Sequence, residues 1–301
     1  MLKNNLSSCC HIKDLIEPCI NNLETLYESK CEYVTGISSG FRELDRQNYR
    51  LKNSEIVILA GRPSMGKTDL ALNIALNIAY ESHIPVLYFS LESSKELLVN
   101  RLLAITSRVD KMKFRSAFLN DTDWKKIKLA SELLENSPIF IDECFSSNIE
   151  YIIEKSIEAK LNNGIGLIII DSLQLISFNR GKINYANRID ESAEITRKLK
   201  LLARKLDIPI ILLSGISRKL ESRKDKRPIL SDLPEHIAYI ADVILFLYRR
   251  WYYERNAEYK ESAELFISKN RSGTIGQAFL GYDSYTGRFY NDEKCLYDKI
   301  S

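Results

Sequence analysis

The feature that most constrains this chain is a glycine-rich loop placed between an apolar run and a stretch with helical spacing. It fits the pattern G-x-x-x-x-G-K-[ST] and comprises Gly61, Arg62, Pro63, Ser64, Met65, Gly66, Lys67 and Thr68. In such loops the glycines let backbone N–H groups curl around phosphate oxygens, the lysine meets the β and γ oxygens, and the hydroxyl ligates Mg²⁺. The dipole of the following helix adds positive potential at the same point. The loop therefore predicts a binding site for ATP with Mg²⁺.

Apolar runs and helical patterns alternate after residue 55. Continuous apolar runs such as Leu167 to Ile170 suit strands that are buried on both faces, which indicates a parallel sheet covered by helices. The stretch 262–290 is instead typical of antiparallel strands with glycine turns. The predicted fold class is α/β, a P-loop core whose mostly parallel twisted sheet is flanked by helices. Strands are predicted near 55–60, 86–91, 139–142, 167–171, 208–214 and 242–248, and helices near 68–82, 95–108, 122–136, 148–163 and 187–206.

The N-terminal part of the chain predicts a separate amphipathic helix over residues 12–30. Pro18 is expected in its first turn or at a kink. The helix could fold back on its own core or dock on a neighbouring subunit. We therefore expect a tail and linker helix over residues 1–34 and one large domain over residues 35–301. The apolar residues at helical spacing are Leu15, Ile16, Cys19, Ile20, Leu23, Leu26 and Tyr27.

Two carboxylates follow predicted strands and are candidates for catalysis. Asp171 ends the apolar run 167–170, where a carboxylate can reach a metal ion through water at the carboxyl edge of a parallel sheet. Glu92 follows the strand near 86–91 and could orient and polarise an attacking water. Asp171 could otherwise cap a helix, and Glu92 could be a surface residue that compensates a helix dipole.

Composition excludes several classes of protein. The 43 basic and 40 acidic residues give a net charge of +3, so any nucleic-acid contact has to be local. Six cysteines without C-x-x-C spacing indicate neither a zinc site nor a disulfide framework. No apolar run approaches the roughly 18 residues of a membrane helix, and the start lacks an apolar signal core, so we expect a cytoplasmic protein. The three histidines are expected to be structural, and Tyr248, Trp251, Tyr252 and Tyr253 to pack or, alternatively, to stack on a base.

Several segments together resemble the motor domain of DnaB-type replicative helicases, over about residues 12–290. They occur in the family's order, and the combination is more specific than any one of them. The segments are Val34-Thr35-Gly36-Ile37, Gly40-Phe41-Arg42-Glu43-Leu44-Asp45, the phosphate loop, Phe89-Ser90-Leu91-Glu92, Asp171-Ser172-Leu173-Gln174-Leu175, Lys224-Asp225-Lys226-Arg227-Pro228, Ala241-Asp242-Val243-Ile244 and Lys269-Asn270-Arg271-Ser272-Gly273.

The resemblance implies a RecA-like core, a hexameric ring with ATP between subunits, and loops that grip single-stranded DNA. It implies that Glu92 is the catalytic base, and that Lys269 and Arg271 reach a neighbour's nucleotide as companion and arginine finger. On spacing alone, these two cations lie two residues apart and share one face of a strand. This arrangement suits an exposed, solvated charged face equally well. The resemblance also implies a loader and a primase as partners.

Three features depart from the family pattern. Only a linker-like helix precedes the motor, where the family generally carries a long N-terminal domain that meets primase. Gly215 stands where the family usually places a glutamine that senses the γ-phosphate. The DNA loop reads Asp232-Leu233-Pro234-Glu235-His236, and proline offers a phosphate neither a cation nor an N–H. Glu235 and a nearby basic stretch remain the DNA-binding candidates, the stretch being either a phosphate contact or a solvated loop. Its cations are Arg218, Lys219, Arg223, Lys224, Lys226 and Arg227.

The sequence therefore predicts an ATP-dependent DNA helicase of DnaB type. One alternative is a helicase-like regulatory or DNA-binding ATPase whose hydrolysis is weakly coupled to movement, because Gly215 and the altered loop remove coupling groups. The other is a recombinase-type RecA relative, against which the Lys224–Pro228 run and the Lys269–Gly273 motif argue. Stimulation of ATP hydrolysis by DNA separates the first alternative from the helicase, and open filaments on DNA would indicate the second.

Overall fold

One sheet organises most of the chain. The computed structural model of the protein describes residues 11–28, 35–47, 50–144, 147–178 and 188–291. The predicted ends of the first helix at 29–30 and of the longest helix at 187 lie outside these residues. So do the tail 1–10, Val34, and four of the six cysteines, which are Cys9, Cys10, Cys31 and Cys295.

The strands form a sheet of nine in the order β3-β2-β4-β5-β1-β6-β7-β8-β9. The first six strands along the chain pair in parallel, and β7 to β9 extend the same sheet in antiparallel fashion. The predicted mixed α/β fold is therefore confirmed. The strands are β1 Ile56–Gly61, β2 Val86–Ser90, β3 Ile139–Glu143, β4 Leu167–Asp171, β5 Ile210–Gly215, β6 Val243–Tyr248, β7 Ser262–Asn270, β8 Gly276–Asp283 and β9 Arg288–Asn291.

All the predicted helices are present, each within about two residues of its expected bounds where the structure describes them. Sequence patterns did not indicate α2, α5, α9 and α10, which have five or six residues and are too short to show a helical period. The helices are α1 Lys13–Glu28, α2 Arg42–Arg46, α3 Lys67–Glu81, α4 Lys95–Ser107, α5 Lys111–Ser116, α6 Asp121–Glu135, α7 Ile149–Asn163, α8 Arg188–Leu206, α9 Glu235–Ile240 and α10 Arg250–Glu254.

Helices cover both faces of the parallel part of the sheet. Along β1, Val57 and Leu59 pack in one core with α3 and α4, whereas Ile58 packs in the other core with α7 and α8. This alternation follows from the two-residue period of a strand, and burial of both sides explains why the strand sequences are continuous apolar runs.

Contacts divide the chain into a short unit, Met1–Thr35, and a large unit, Gly36–Ser301. The short unit contains α1, and Pro18 lies inside this helix rather than in its first turn. Its apolar side chains are exposed at helical spacing, as expected of an amphipathic helix. The exposed residues are Leu15, Ile16, Ile20, Leu23 and Tyr27.

A buried carboxylate fixes the amino-terminal edge of the sheet. Asp242 precedes β6 and is only 5% exposed. Its Oδ2 accepts hydrogen bonds from the backbone N–H of Ile56 at 2.7 Å and from Lys200 Nζ at 2.6 Å. Arg271 Nη1 lies 3.5 Å from Oδ1. Asp242 thus joins β1, β6, α8 and the end of β7.

Replacing Asp242 with asparagine is expected to destabilise the fold, because the amide keeps the shape but removes the charge opposite Lys200. We expect the free energy of unfolding to fall by about 1.5–3 kcal/mol, the range for a hydrogen bond to a charged group. Urea denaturation measures it. Asp225→Asn, which changes an exposed aspartate, serves as the control. Equal midpoints for the two variants would contradict the assigned role.

Candidate nucleotide site

The phosphate loop lies where β1 passes into α3. The N-cap residue of α3 is Gly66, in the left-handed region at φ 95°, and a Cβ there would lie 3.3 Å from Tyr282 Oη. Only glycine adopts this conformation readily. Lys67 Nζ donates to the carbonyl oxygens of Gly61 at 3.0 Å and Arg62 at 3.2 Å, so the ammonium group lies against the loop. The loop N–H groups and the helix N-terminus form a place for an anion.

Thr68 and Asp171 meet although they are 103 residues apart. Thr68 Oγ1 donates to Asp171 Oδ2 at 2.7 Å, and Tyr88 Oη donates to the same oxygen at 3.1 Å. Burial raises the pKa of Asp171, and the charge of Glu92 adds to the rise, while the hydrogen bonds from Thr68 and Tyr88 oppose it. A divalent cation would stabilise this buried carboxylate. A hydroxyl and a carboxylate oxygen are ligands that Mg²⁺ uses beside phosphates and water, so the residues fit this ion.

Glu92 lies two residues beyond β2 and lines the same cleft as Lys67, Thr68 and Asp171, which has a volume of about 490 Å³. The glutamate is exposed. Burial lowers the pKa of Lys67, and the negative charges of Asp171 and Glu92 partly offset this effect. The cleft therefore brings the Lys67 ammonium group and two carboxylates together beside the phosphate loop.

The structure adds residues that the sequence did not indicate. Asp69 in the first turn of α3 is 4% exposed and contacts Arg101 Nη1, Lys111 Nζ and Tyr282 Oη, each at 3.0 Å. Arg101 and Tyr282 also line the cleft. No spacing rule links these residues to the loop, because α4 and β8 reach it only through tertiary packing. Gln174 lines the cleft as well, and its place in a quoted motif was a signal that could have found it.

Lys269 and Arg271 lie near the amino-terminal ends of the parallel strands, whereas the phosphate loop follows the carboxyl end of β1. Val57, near the start of β1, pairs with Val243, which in turn pairs with Asn270 at the end of β7. Gly61 lies four residues further along β1, or roughly 13 Å away at the usual rise of a strand. The two cations and the cleft of their own chain therefore lie at opposite ends of the strands.

The side chains of this pair contact the end of α9. Lys269 Nζ donates to the carbonyl oxygens of Ala238 at 2.7 Å and Tyr239 at 3.1 Å. Arg271 Nη2 donates to Tyr239 O at 2.7 Å. Desolvation lowers the pKa of Lys269, and the neighbouring Arg271 charge adds to this effect. The contacts hold both cations close together.

The candidate DNA contacts divide into two groups. Arg223 Nη2 donates to Arg227 O and to Asp232 Oδ2, Lys226 contacts Glu221 O, and Arg227 pairs with Glu264 at 3.4 Å. These three cations brace the segment between β5 and α9. Arg218, Lys219 and Lys224 are exposed, as are Pro234 and Glu235 at the start of α9.

The remaining sequence candidates lie in varied surroundings. Tyr248 is buried and stacks on Tyr253 with ring centroids 5.8 Å apart, as expected for packing. His236 Nε2 lies 2.7 Å from Ser192 Oγ.

Within the described ranges, no group of three or more His, Cys, Asp or Glu residues could hold a metal ion. No helix in that part of the chain is long and apolar enough to cross a membrane.

Comparison with known proteins agrees with this geometry. Replicative DNA helicase DnaC from Bacillus subtilis is 39% identical over 295 residues, which cover 97% of this chain and 64% of that protein. Replicative DNA helicase DnaB from Geobacillus stearothermophilus is 40% identical over 287 residues, covering 94% and 62%. The chain thus spans less than two thirds of the length of these relatives.

Two solved structures are also similar to this chain. The ATPase domain of G40P superposes with a TM-score of 0.84 at 36% identity, over 92% of this chain and 99% of that one. A DnaB-like replicative helicase, described with its interactions with primase, gives a TM-score of 0.82 at 36% identity, over 92% and 67%. Residues 36–291 match the family of the DnaB-like helicase C-terminal domain. With a RecA-like fold, a complete phosphate loop and these relatives, the chain belongs to the DnaB-like helicase C-terminal domain family.

Proposed function

We propose that this chain is the motor of a DnaB-type replicative DNA helicase. It hydrolyses ATP and uses the hydrolysis to move along single-stranded DNA, thereby unwinding duplex DNA during replication. The observation that carries the proposal is the meeting of Lys67, Thr68, Glu92 and Asp171 in one cleft at the carboxyl edge of the sheet. Membership of the family supports it.

The chemistry follows from the positions of these side chains. The loop N–H groups and Lys67 bind the phosphates and neutralise the charge that grows on the γ-phosphate as it leaves. Glu92 orients the attacking water and accepts its proton. Thr68 and Asp171 would hold Mg²⁺, and the ion would supply positive charge that stabilises the phosphates. Arg101 lies in the same cleft and adds a further cation.

Hydrolysis requires a second subunit in this proposal. Lys269 and Arg271 are at the sheet edge away from the cleft, so they can contact a nucleotide only when a neighbouring copy presents its own cleft. A homo-oligomer in which every subunit plays both parts closes into a ring, and the family resemblance implies six subunits. A loader and a primase are the expected partners of such a ring.

Steady-state ATP hydrolysis with and without single-stranded DNA tests the proposal, together with displacement of a labelled strand from a forked duplex. We expect DNA to stimulate hydrolysis and the strand to be displaced only with ATP and Mg²⁺. Hydrolysis that does not respond to DNA would contradict the helicase and indicate a regulatory ATPase. Omission of Mg²⁺ is the control for the metal site.

Replacing Arg218, Lys219 and Lys224 together with alanine is expected to weaken DNA binding. These exposed cations can neutralise phosphates, so the slope of log affinity against log salt should flatten by roughly 0.7 for each phosphate that is no longer neutralised. Fluorescence anisotropy with a labelled oligonucleotide at several salt concentrations measures the slope.

The matched control replaces three exposed lysines of α6, Lys125, Lys126 and Lys128, with alanine. Both triple variants lose the same charge, so the comparison removes the effect of net charge. Identical slopes for the two would show that the segment after β5 does not contact DNA.

A further inference from the structure

The end of β5 lies between the two parts of the nucleotide site. β5 is inserted between β1, which carries the phosphate loop, and β4, which ends in Asp171. Gly61 at the start of the loop pairs directly with Gly215 at the end of β5. A side chain at this point would lie between the phosphate loop and the end of β4, yet residue 215 itself has no side chain to offer.

The carboxamide of Gln174 lies beside Gly215. Gln174 belongs to the helical turn Leu173–Leu175 that follows β4, and it lines the cleft with Lys67, Thr68 and Glu92. Its Nε2 donates to Ser214 Oγ at 2.9 Å, and its Oε1 accepts from the N–H of Gly215 at 3.2 Å. A Cβ on residue 215 would lie 3.8 Å from Nε2, so the carboxamide borders the space where a side chain of residue 215 would begin.

The backbone that follows Gly215 leads directly to the candidate DNA segment. Ile216 O accepts from Arg62 Nη1 of the phosphate loop at 3.3 Å, and Ser217 N donates to Asp232 O at 3.0 Å. Arg62 Nε also pairs with Glu221 at 2.8 Å. The two ends of the segment from Ile216 to Asp232, which carries the basic stretch, thus meet directly after the end of β5, where Gln174 makes its contacts.

We propose that Gln174 is the positioning residue that couples the nucleotide cleft to the DNA segment, through its hydrogen bonds to Ser214 and Gly215. A change at the γ-phosphate shifts the carboxamide, and the carboxamide shifts the end of β5 and the segment attached to it. The inference rests on the proposed function and adds to it the residue that transmits the signal. The two hydrogen bonds to one strand end give the carboxamide a defined position from which to act.

The test compares Gln174→Met with Gly215→Ala. Methionine has nearly the shape of glutamine but makes neither hydrogen bond, while alanine at 215 places a Cβ at ordinary van der Waals distance from the carboxamide. For each variant, affinity for a fluorescent ATP analogue, ATP hydrolysis without DNA, and hydrolysis with saturating single-stranded DNA are measured. We expect the ratio of DNA-stimulated to basal hydrolysis to fall at least about fivefold in Gln174→Met, the lower range of coupling between sites. Gly215→Ala should keep its stimulation.

A double variant moves the carboxamide from residue 174 to residue 215. It tests for a gain of DNA stimulation, and not only for a loss. In Gln174→Ala with Gly215→Gln, the carboxamide starts from β5 itself, and recovery of DNA stimulation relative to Gln174→Ala alone supports the coupling role. A purely structural role would not produce this recovery.

The outcomes separate the inference from the proposed function. If the unaltered protein responds to DNA and Gln174→Met responds equally well, the coupling role is wrong and the helicase stands. If Gln174→Met loses basal and stimulated hydrolysis in the same proportion, the residue acts in catalysis or folding and the coupling role is also wrong. If the unaltered protein itself does not respond to DNA, the proposed function fails and the inference fails with it.

Discussion

Replacing Arg271 with alanine is expected to lower ATP hydrolysis on the order of 10³-fold, the lower range for loss of an arginine finger. The guanidinium lies at the sheet edge opposite the cleft of its own chain. Its loss should therefore act on a neighbour's nucleotide and leave the variant's own nucleotide affinity nearly unchanged. A coupled-enzyme assay measures hydrolysis, and a fluorescent ATP analogue measures affinity.

Mixing two inactive variants provides the decisive test of this arrangement. Lys67→Ala has no working cleft but keeps Arg271, and Arg271→Ala has the opposite defect. If the two residues act across a subunit boundary, some mixed neighbours combine an intact cleft with an intact arginine, and part of the activity returns. If both act within one chain, no mixture can be more active than its components.

Two controls exclude simpler explanations. Arg271 also donates to Tyr239 O and lies near Asp242, so urea denaturation must show that the variant remains folded. Arg204→Ala removes an exposed arginine from the last turn of α8 and should hydrolyse ATP normally. A comparable loss of hydrolysis in Arg204→Ala would show that the effect of Arg271→Ala arises from the loss of surface charge.

The sequence predicted the sheet well because burial on both faces leaves continuous apolar runs. The predicted starts of two strands were wrong, because a proline or a side chain there takes the place of a backbone hydrogen bond between strands. β5 begins at Ile210 rather than 208 because Pro209 has no N–H to donate, although Ile208 is buried and continues the apolar pattern. β6 begins after Asp242, whose side chain binds the N–H of Ile56.

The site was predictable where one strand end carries the chemistry. Asp171 is the last residue of β4 and Thr68 follows β1, a parallel strand of the same sheet, so their meeting at the carboxyl ends of the strands could be expected. Tyr282 reaches Asp69 across 213 residues, and nothing in the spacing of either residue indicates the contact. The position of Arg271 away from its own cleft likewise depends on the antiparallel direction of β7, which the sequence indicated only in outline.

Replacing Glu92 with glutamine is expected to lower hydrolysis on the order of 10²–10³-fold, because a positioned general base contributes about 10²–10⁴-fold and the amide cannot accept the proton of the attacking water. The side chain keeps its length. Nucleotide affinity should therefore persist, in contrast to Lys67→Ala, which removes the cation proposed to bind the phosphates. Single-turnover hydrolysis with excess protein measures the chemical step, and the fluorescent analogue measures affinity.

Glu96→Gln is the matched control, since it removes the same charge from an exposed glutamate in the first turn of α4. Glu92 lines the cleft with Lys67 and Asp171, and its charge raises the pKa of both. Its loss should consequently lower the pKa of Asp171, so a defect in hydrolysis cannot arise from increased protonation of that carboxylate. Equal hydrolysis by the Glu92 and Glu96 variants would show that another group activates the water.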